Sequence, residues 1–475
     1  MATLTSSLGL SGNSLDVLTQ ALGVIQSNVS NSTTPGYATQ QLNLQDSANT
    51  GGGVVADGTS SSRDIYADNA VELQLQSLGL YTAQSQSTGT IQSFFDVTGS
   101  SGISTALTNL FTSFSSWATS PDDPSTGQSV IAAASSLANN INDLSTSLQQ
   151  ESSQIGQQAS STVDQINSLA AQIQQYNVAQ MSGGQANAGA DAQLQTNLES
   201  LANLTNFTAL KQSDGTVTVL IGSGTPLVMG DQQFSLSASQ SVTDQPPAAN
   251  PLSPPTSHIY DSQGNDITST LTGGTLGGLL DTQNRVLAGI IGDSQNQGSL
   301  NTLAQGIADT VNQVLESGTT SVANGSTPGT ALFTYDNSDA THAAGSLAVA
   351  SGITSQQLAP VDASGNGNGN ANALAALANP AAGAQGTVNG MSFTQYFASI
   401  AADVGQENST ATTNQQAQQQ VTTQAQSLRD SISGVSLDAQ AALLLQFQRA
   451  YQSVARVLTI VNSLADSIID LVPQA

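Results

Sequence analysis

An apolar side chain recurs every three or four residues at both ends of the chain, and this spacing constrains the fold more than any other feature. At the amino end the recurring positions are Leu4, Leu8, Leu15, Leu18, Leu22, Ile25 and Val29. Ser11 fills the one gap, so the set follows the a/d pattern of a coiled-coil helix. Pro35 favours an end to this helix, because the residue before a proline avoids helical geometry. Three glycines inside the stripe, at about 1 kcal/mol each relative to alanine, predict a helix of about 27 residues that needs a partner.

The carboxyl end carries a second stripe in one heptad frame. Its members are Leu437, Leu444, Phe447, Tyr451, Val454, Leu458, Val461, Ala465, Ile468 and Val472. Gln440 breaks the frame, and Ser436 stands where an N-cap is expected. Arg449 falls at the outermost heptad position. Additional apolar residues widen the surface beyond one seam, which predicts burial on more than one side: they are Leu443, Leu445, Val457 and Ile460.

Three interior stretches keep a similar register and predict long packed helices. They cover Ile103–Trp117, Ala134–Tyr176 and Phe393–Ile432. Because the last two stripes are of comparable length, we expect the 130–178 helix to pack near the 392–432 helix. We expect the helical body to consist of antiparallel segments from residues 61–200 and 385–432.

The middle of the chain has a different pattern. Residues 207–236 alternate between polar and apolar side chains, and Ser213-Asp214-Gly215 is typical of a hairpin turn. Residues 244–256 hold five of the 13 prolines and predict an irregular loop. A helical pattern returns between Leu276 and Leu315, residues 330–360 are weakly β-like, and residues 362–372 read as a flexible loop. The expected fold class is mainly α with an inserted β-rich middle.

Charge and composition exclude several classes of partner. The chain of 475 residues has a formal net charge of −26, which argues against binding to nucleic acid or to an anionic membrane surface. It has no cysteine, so disulfides and thiolate chemistry are excluded. No apolar run reaches the length of a membrane span. The first basic residue is Arg63, so we expect no secretory signal peptide.

We find no pattern that predicts catalysis, a cofactor or a metal site. Asp362-x-Ser364-x-Asn366-Gly367 resembles the start of a calcium loop, but its twelfth position is Ala373 instead of the bidentate glutamate. His258 and His342 have no metal-ligand spacing, and we expect both to be solvated loop residues. Gly273-Gly274-x-x-Gly277-Gly278 has no basic residue after it to meet a phosphate. We therefore expect the protein not to be an enzyme.

Both ends of the chain carry a sequence motif. The amino end has the leucine helix followed by Asn28-x-x-Asn31-x-x-Thr34-Pro35-Gly36-Tyr37, and the carboxyl end has Gln448-x-x-Tyr451 in its helix. Together the two ends resemble the bacterial flagellar axial family of rod, hook and hook-associated proteins. The segment 433–438, Ser-Gly-Val-Ser-Leu-Asp, and the segment 276–281, Leu-Gly-Gly-Leu-Leu-Asp, are similar to the hook-associated members. Asp438-Ala439-Gln440 departs from the Asp-Glu-Glu that is frequent there.

The resemblance implies a structural adaptor at the junction between hook and filament, located in the extracellular flagellum. It implies export by the flagellar type III apparatus and assembly into a ring, with hook protein, a second hook-associated protein and an export chaperone as partners. It also implies that the two terminal helices pair as a long antiparallel coiled coil and line an inner tube, with a β-containing domain outside. The assembly residues carried over are Leu15, Leu18, Leu22, Asn28, Asn31, Thr34, Pro35, Gly36, Tyr37, Leu437, Leu444, Phe447, Gln448, Tyr451, Val454 and Leu458.

Three domains follow from this interpretation. Residues 1–60 with 433–475 form the inner terminal-helix domain. Residues 61–200 with about 276–320 and 385–432 form a helical body, and about 201–275 with 321–384 form a β-rich outward domain. Two alternatives remain open. A hook or distal-rod protein would share both ends, and a secreted surface adhesin would share the low charge and the absence of cysteine.

Overall fold

The computed structural model describes residues 2–46, 54–95, 102–182, 188–241, 256–322, 326–381 and 386–470. Long helices dominate these ranges. The helices are α1 (Ala2–Ser30), α2 (Ile65–Ser93), α3 (Ile103–Thr119), α4 (Pro124–Met181), α5 (Ala188–Leu204), α6 (Gly274–Asp281), α7 (Ala288–Ile291), α8 (Ser299–Glu316), α9 (Ala343–Ser346), α10 (Gly369–Ala376), α11 (Phe393–Ser433) and α12 (Leu437–Asp470). A π-helical segment, Thr282–Leu287, joins α6 to α7. The predicted terminal and interior helices are confirmed as α1, α3, α4, α11 and α12.

Helix α4 is the longest element of the body, with 58 residues. Asp123 begins it by accepting a hydrogen bond from the backbone nitrogen of Ser125, and Pro124 occupies the first turn, where a missing N–H costs nothing. Its apolar stripe is buried from Val130 to Ile173. These side chains join one hydrophobic core that runs through the body from Val71 to Val404.

The predicted packing of the 130–178 stripe against the 392–432 stripe is wrong. Helix α11 lies along α2, whereas α4 packs against α3, α5 and α6. The physical reason is that polar side chains of α11 find hydrogen-bonding partners on α2. Asn408 donates to Gln92 over 2.6 Å, and Gln418 donates to the side chain of Gln74 over 2.6 Å.

Helix α2 was not predicted as an element because its buried face carries few large apolar side chains. Among its buried residues are Asp68, Glu72, Gly79 and Ser87. The buried residues of α2 do recur at helical spacing. A search for recurring leucine and isoleucine does not detect them, because most are small or polar. Tertiary contacts with α5, α6 and α11 therefore account for much of its stability.

The strands are short and antiparallel. They are β1 (Gln40–Asp46), β2 (Val54–Ser61), β3 (Phe207–Lys211), β4 (Val217–Ile221), β5 (Thr225–Met229), β6 (Gln232–Gln233), β7 (Ser237–Ser241), β8 (Thr256–Tyr260), β9 (Phe333–Thr334), β10 (Ala348–Val349), β11 (Thr387–Val388) and β12 (Met391–Ser392). Strands β3 to β6 form a four-stranded sheet in chain order, and the remaining strands pair two by two. The β1–β2 hairpin follows α1 and lies almost wholly within residues 1–60, which were assigned to the terminal-helix domain.

The predicted hairpin in the middle of the chain is confirmed as β3 and β4, with Phe207 opposite Ile221. Gly215 has φ +84° in the turn, and Asp214 accepts a hydrogen bond from the backbone of Thr216. Asn177 of α4 fastens the sheet, because its side chain bonds both the nitrogen and the oxygen of Val217 at 2.8 Å. Most of the proline-rich stretch 244–256 lies outside the described residues.

Both histidines differ from the expectation of solvated loop residues. His342 is fully buried, with Nδ1 2.9 Å from the carboxylate of Asp336. Nδ1 of His258 lies 2.8 Å from the carboxylate of Asp266, and its side chain is only 26% exposed. Hydrogen-bonding partners close by in the chain allow both rings to leave water.

The glycine-rich segment at the start of α6 allows close helix packing. A Cβ on Gly274 would lie 2.1 Å from the backbone nitrogen of Thr205, and one on Gly278 would lie 2.5 Å from the oxygen of Leu80. Both distances are too short for any side chain, so glycine lets α6 approach α2 and the end of α5. In the ranges that the structure describes, no helix is both long and apolar enough to cross a membrane.

Candidate assembly interface

Helices α1 and α12 pack against each other in an antiparallel pair, since the end of α1 meets the start of α12. On α1 the buried positions are Ser11, Ala21, Ile25 and Asn28. Ser11 and Ile25 belong to the predicted stripe, and Ala21 and Asn28 each lie one position before a member of it, so the seam follows one edge of that stripe. Leu15, Leu18 and Leu22 are half-buried at its side. Leu8 and Val29 are exposed.

On α12 the predicted seam is only partly covered. Six of its positions are half-buried: Leu444, Phe447, Val454, Leu458, Val461 and Ala465. Tyr451 is 38% exposed, and Leu437 and Gln448 are exposed. A second stripe next to the seam is open to solvent and consists of Leu443, Val457, Ile460 and Leu464. The pair thus covers one side of α12 and leaves another apolar side uncovered.

Asn28 is the polar centre of the pair, and it is almost completely buried. Its side-chain nitrogen donates to the backbone oxygen of Gln40 over 2.9 Å and to the side-chain oxygen of Gln440 over 3.1 Å. Its oxygen accepts from the hydroxyl of Tyr37 and the nitrogen of Gln40, both at 2.9 Å. All the hydrogen-bonding capacity of the amide is used. Gln440 does not interrupt the helix contact, as its place in the heptad suggested, but is buried in it.

The Thr-Pro-Gly-Tyr segment turns the chain from α1 toward the body. Thr34 donates to the side chain of Asn31 over 3.2 Å, and this closes the turn after α1. Gly36 has φ +71°, and a Cβ there would lie 2.7 Å from the backbone oxygen of Ala192 in α5. Glycine is therefore needed for conformation and for close contact. Thr196 of α5 donates to the oxygen of the exposed Pro35 over 3.3 Å.

Backbone contacts join the start of the body to the link before α12. Thr39 donates through its nitrogen to the oxygen of Ser433 over 2.9 Å, and through its hydroxyl to Gly434 over 2.8 Å. The nitrogen of Asp64 donates to the hydroxyl of Ser433 over 3.1 Å. The segment after α1 and the link between α11 and α12 are thus bonded to each other where the α1–α12 pair meets the helical body.

An ionic cluster lies beside this junction. Arg63 contacts Asp68 at 3.2 Å and Asp191 at 3.1 Å, and it donates to the oxygen of Gly36 over 2.6 Å. It therefore connects the turn after α1 with α2 and α5. Arg429 of α11 makes an ion pair with Glu199 of α5. These two residues are a third of the six basic residues of the chain.

Burial raises the pKa values of three acidic side chains in the same cluster. Desolvation raises the pKa of Glu72 to about 7, although Gln195 donates a hydrogen bond to it over 3.2 Å. Desolvation also raises the pKa of Asp68 and of Glu199, against the opposing effect of the nearby arginines. Sequence reasoning missed this cluster because its members are far apart in the chain. The one local signal is the spacing of Asp68 and Glu72, which lie four residues apart and so on one side of α2.

The sequence-predicted assembly residues form two groups in the structure. Asn28, Asn31, Thr34, Gly36 and Tyr37 come together in one hydrogen-bonded turn. The apolar residues of α1 and α12 lie along or beside the helix seam. The described residues hold no cluster of three or more His, Asp or Glu side chains that could bind a metal ion.

Comparison with known proteins gives matches along the chain. The family model described as the flagellar hook-associated protein FlgK helical domain matches residues 88–333. A second model, the flagellar basal body rod FlgEFG protein C-terminal, matches residues 424–471.

Curated relatives agree with the first model. Flagellar hook-associated protein 1 of Salmonella typhimurium is 26% identical over 313 residues, which cover 63% of this chain and 54% of that protein. The match therefore spans about half the length of that relative. The proteins of the same name from Escherichia coli and Bacillus subtilis are each 24% identical, and they cover 96% and 95% of this chain and 98% and 95% of their own lengths.

A solved structure shares the fold. The flagellar hook junction protein FlgK from Burkholderia pseudomallei superimposes with a TM-score of 0.62 at 18% identity, over 77% of this chain and 100% of that one. The model of the helical domain covers more than half of the residues of this chain. The chain belongs to the FlgK family of flagellar hook-associated proteins.

Proposed function

We propose that the chain is a structural adaptor at the hook–filament junction of the bacterial flagellum, which polymerises as a ring through its terminal helices. The uncovered apolar side of α12 is the observation that carries this proposal. Val457, Ile460 and Leu464 are each at least half exposed in the single chain. Large apolar surfaces of this kind are typical of association sites. Neighbouring copies of the terminal pair would cover them.

The proposed junction role also implies binding partners and a route of export. The ring would contact hook protein on one side and a second hook-associated protein on the other, outside the cell. Export through the flagellar type III apparatus would precede assembly, and a chaperone that binds the apolar carboxyl helix would keep it from aggregating. In this arrangement the terminal pair, 1–60 with 433–475, is the inner domain, and the helical and β-containing parts lie outside it.

A hook or distal-rod protein is the second candidate. The match of residues 424–471 to a rod-protein model supports the shared carboxyl helix. The match of residues 88–333 to the FlgK helical domain favours the junction assignment, because this stretch forms the body instead of the shared ends.

Deletion of the gene, followed by motility assay and electron microscopy, tests the function. We expect hooks without filaments and flagellin released into the medium. Normal filaments on the deletion strain would overturn the proposal, and loss of the hook itself would favour the hook or rod candidate.

A matched pair of variants tests the interface. Ile460 and Asn462 are both exposed in the single chain, so neither substitution should change its stability much. We expect Ile460→Ser to lower the fraction of filamented cells several-fold and Asn462→Ser to leave it unchanged. Equal filament counts in the two strains would contradict assembly through this side of α12.

A further inference from the structure

The seam between α2 and α11 contains polar contacts: Ser85 and Thr412 hydroxyls lie 2.9 Å apart, and Gln415 donates to Thr82 over 3.3 Å. Apolar residues such as Ile91 and Ala411 are buried, but five other large apolar side chains of the two helices face solvent. We call the following five residues the outer body stripe: Tyr66, Leu73, Val421, Leu428 and Ile432. Their exposed fractions are 87%, 58%, 44%, 60% and 49%.

The stripe is one surface. Tyr66 and Leu73 are seven residues apart on α2, as are Val421 and Leu428 on α11, so each set forms a column. Counted at about 100° per residue from the seam of an antiparallel pair, both columns fall on the same side. Glu72, which contacts α5, lies about 100° around α2 from Leu73, so α5 leaves this side uncovered. The bond from Gln418 to Gln74 places Val421 and Leu73 at similar heights.

The charge pattern indicates which partner suits this surface. Residues 73–93 of α2 and 408–428 of α11 contain no Asp, Glu, Lys or Arg, although the chain carries a net charge of −26. Two copies of so acidic a chain repel each other, and they meet most favourably where neither presents charge. A basic partner would instead be expected on acidic surface.

The outer body stripe is also continuous with the uncovered side of the terminal helix. Exposed apolar residues follow one another across the link between α11 and α12, at Leu428, Ile432, Leu437 and Leu443. A neighbour that covers α12 is thus brought next to the body stripe as well. An interface of this length would add area beyond the single seam that the terminal helices provide.

We propose that the outer body stripe is a second contact between subunits, occupied by a neighbouring copy of this chain in the assembled junction. The inference rests on the proposed ring function. It differs from it in assigning a contact to the helical body in addition to the terminal pair.

Photo-cross-linking in flagellated cells tests the occupant. Benzoylphenylalanine replaces Tyr66, with Val457 of α12 as the terminal-helix position and Thr423, exposed on the other side of α11, as the control. We expect the probe at Tyr66 to give an adduct of two copies of the chain in isolated flagella, but not in purified monomer. The probe at Thr423 should give none.

The terminal position separates the two ideas. An adduct between copies at Val457 without one at Tyr66 would overturn the body contact and leave the ring. An adduct of Tyr66 with a different protein would overturn the choice of a second copy. Failure at both positions would overturn the ring as well.

A pair of substitutions tests the same contact without a bulky probe. Leu428 and Gln424 are both exposed on α11. We expect Leu428→Ser to lower the fraction of filamented cells at least two-fold with unchanged thermal unfolding of the monomer, and Gln424→Ser to have no effect. Equal filament counts in the two strains would contradict the proposal.

Discussion

The side chain of Asn28 donates a hydrogen bond to the side chain of Gln440 over 3.1 Å, although 412 positions separate the two residues in the chain. Both side chains are buried between α1 and α12. A buried amide whose bonds are all made can fix the register of a helix pair, because any shift along the axis would leave it unpaired. Asn28 also bonds Tyr37 and Gln40 in the segment that leads from α1 to the helical body. One residue therefore connects the α1–α12 pair to the body.

Asn28→Ala should impair assembly more than Asn31→Ala. The first change leaves polar groups of Gln40 and Gln440 buried without their partner, at about 1–3 kcal/mol for each unpaired group. Asn31 bonds only within its own turn. Electron microscopy of strains that carry each variant measures the fraction of filamented cells. Similar fractions would show that the buried amide does not set the pairing.

Tyr451→Ala should cause a larger assembly defect than Arg449→Ala. Loss of a fully buried aromatic typically costs about 3–5 kcal/mol, whereas an exposed ion pair is worth about 0–1 kcal/mol. Tyr451 lies at the side of the seam, partly covered in the single chain, and Arg449 is exposed. Swimming in soft agar and filament counts give the comparison. Equal defects would mean that the contact face of α12 has been assigned wrongly.

Limited proteolysis of purified monomer should trim both ends rapidly and leave a resistant fragment of roughly 60–430, because local stability follows buried apolar contact. Among the described residues, the main hydrophobic core runs from Val71 to Val404 and takes no side chain from α1 or α12. We expect the ends to be ordered by neighbouring copies. Ends that survive protease in a verified monomer would contradict this coupling of order to assembly.

Glu72→Gln should remove part of the pH dependence of stability. The pKa of Glu72 is raised from 4.5 to about 7 by burial, so between these values the folded chain keeps a proton that the unfolded chain has lost. The free energy of unfolding therefore falls as pH rises through this window, by at most about 3 kcal/mol. The variant should be flatter across the window in urea unfolding. Glu316→Gln, at an exposed position, is the control and should follow the native curve.

Gly278→Ala should destabilise the body, whereas Gly289→Ala should not. A Cβ at Gly278 would lie 2.5 Å from the oxygen of Leu80, which forces α6 away from α2, and overpacking of this kind costs about 1–3 kcal/mol. A Cβ at Gly289 meets nothing within 4 Å, and alanine is the better helix former. Urea unfolding of the full chain measures both. A neutral Gly278→Ala would mean that the close helix contact is not needed.

Local patterns predicted much of the fold and part of the assembly site. The boundaries of α1, α3, α11 and α12 follow from apolar periodicity and from breakers such as Pro35. The hairpin at residues 207–221 follows from its turn residues. Asn28 and Tyr37 were identified through the family resemblance, but their bonds to Gln40 and Gln440 have no local signature. The cluster of Arg63, Glu72 and Arg429 also escaped prediction.

The sequence by itself determined where most long helices form and that each end carries an apolar stripe, because periodicity and turn chemistry act over a few residues. Only the tertiary structure decided which helices meet. Helix α11 pairs with α2 partly through polar side chains, and the seam of α1 includes Ala21 and Asn28 while Leu15, Leu18 and Leu22 stay half-buried. Such choices depend on side-chain size and on hydrogen bonds between segments hundreds of residues apart, and no window of the sequence contains both partners.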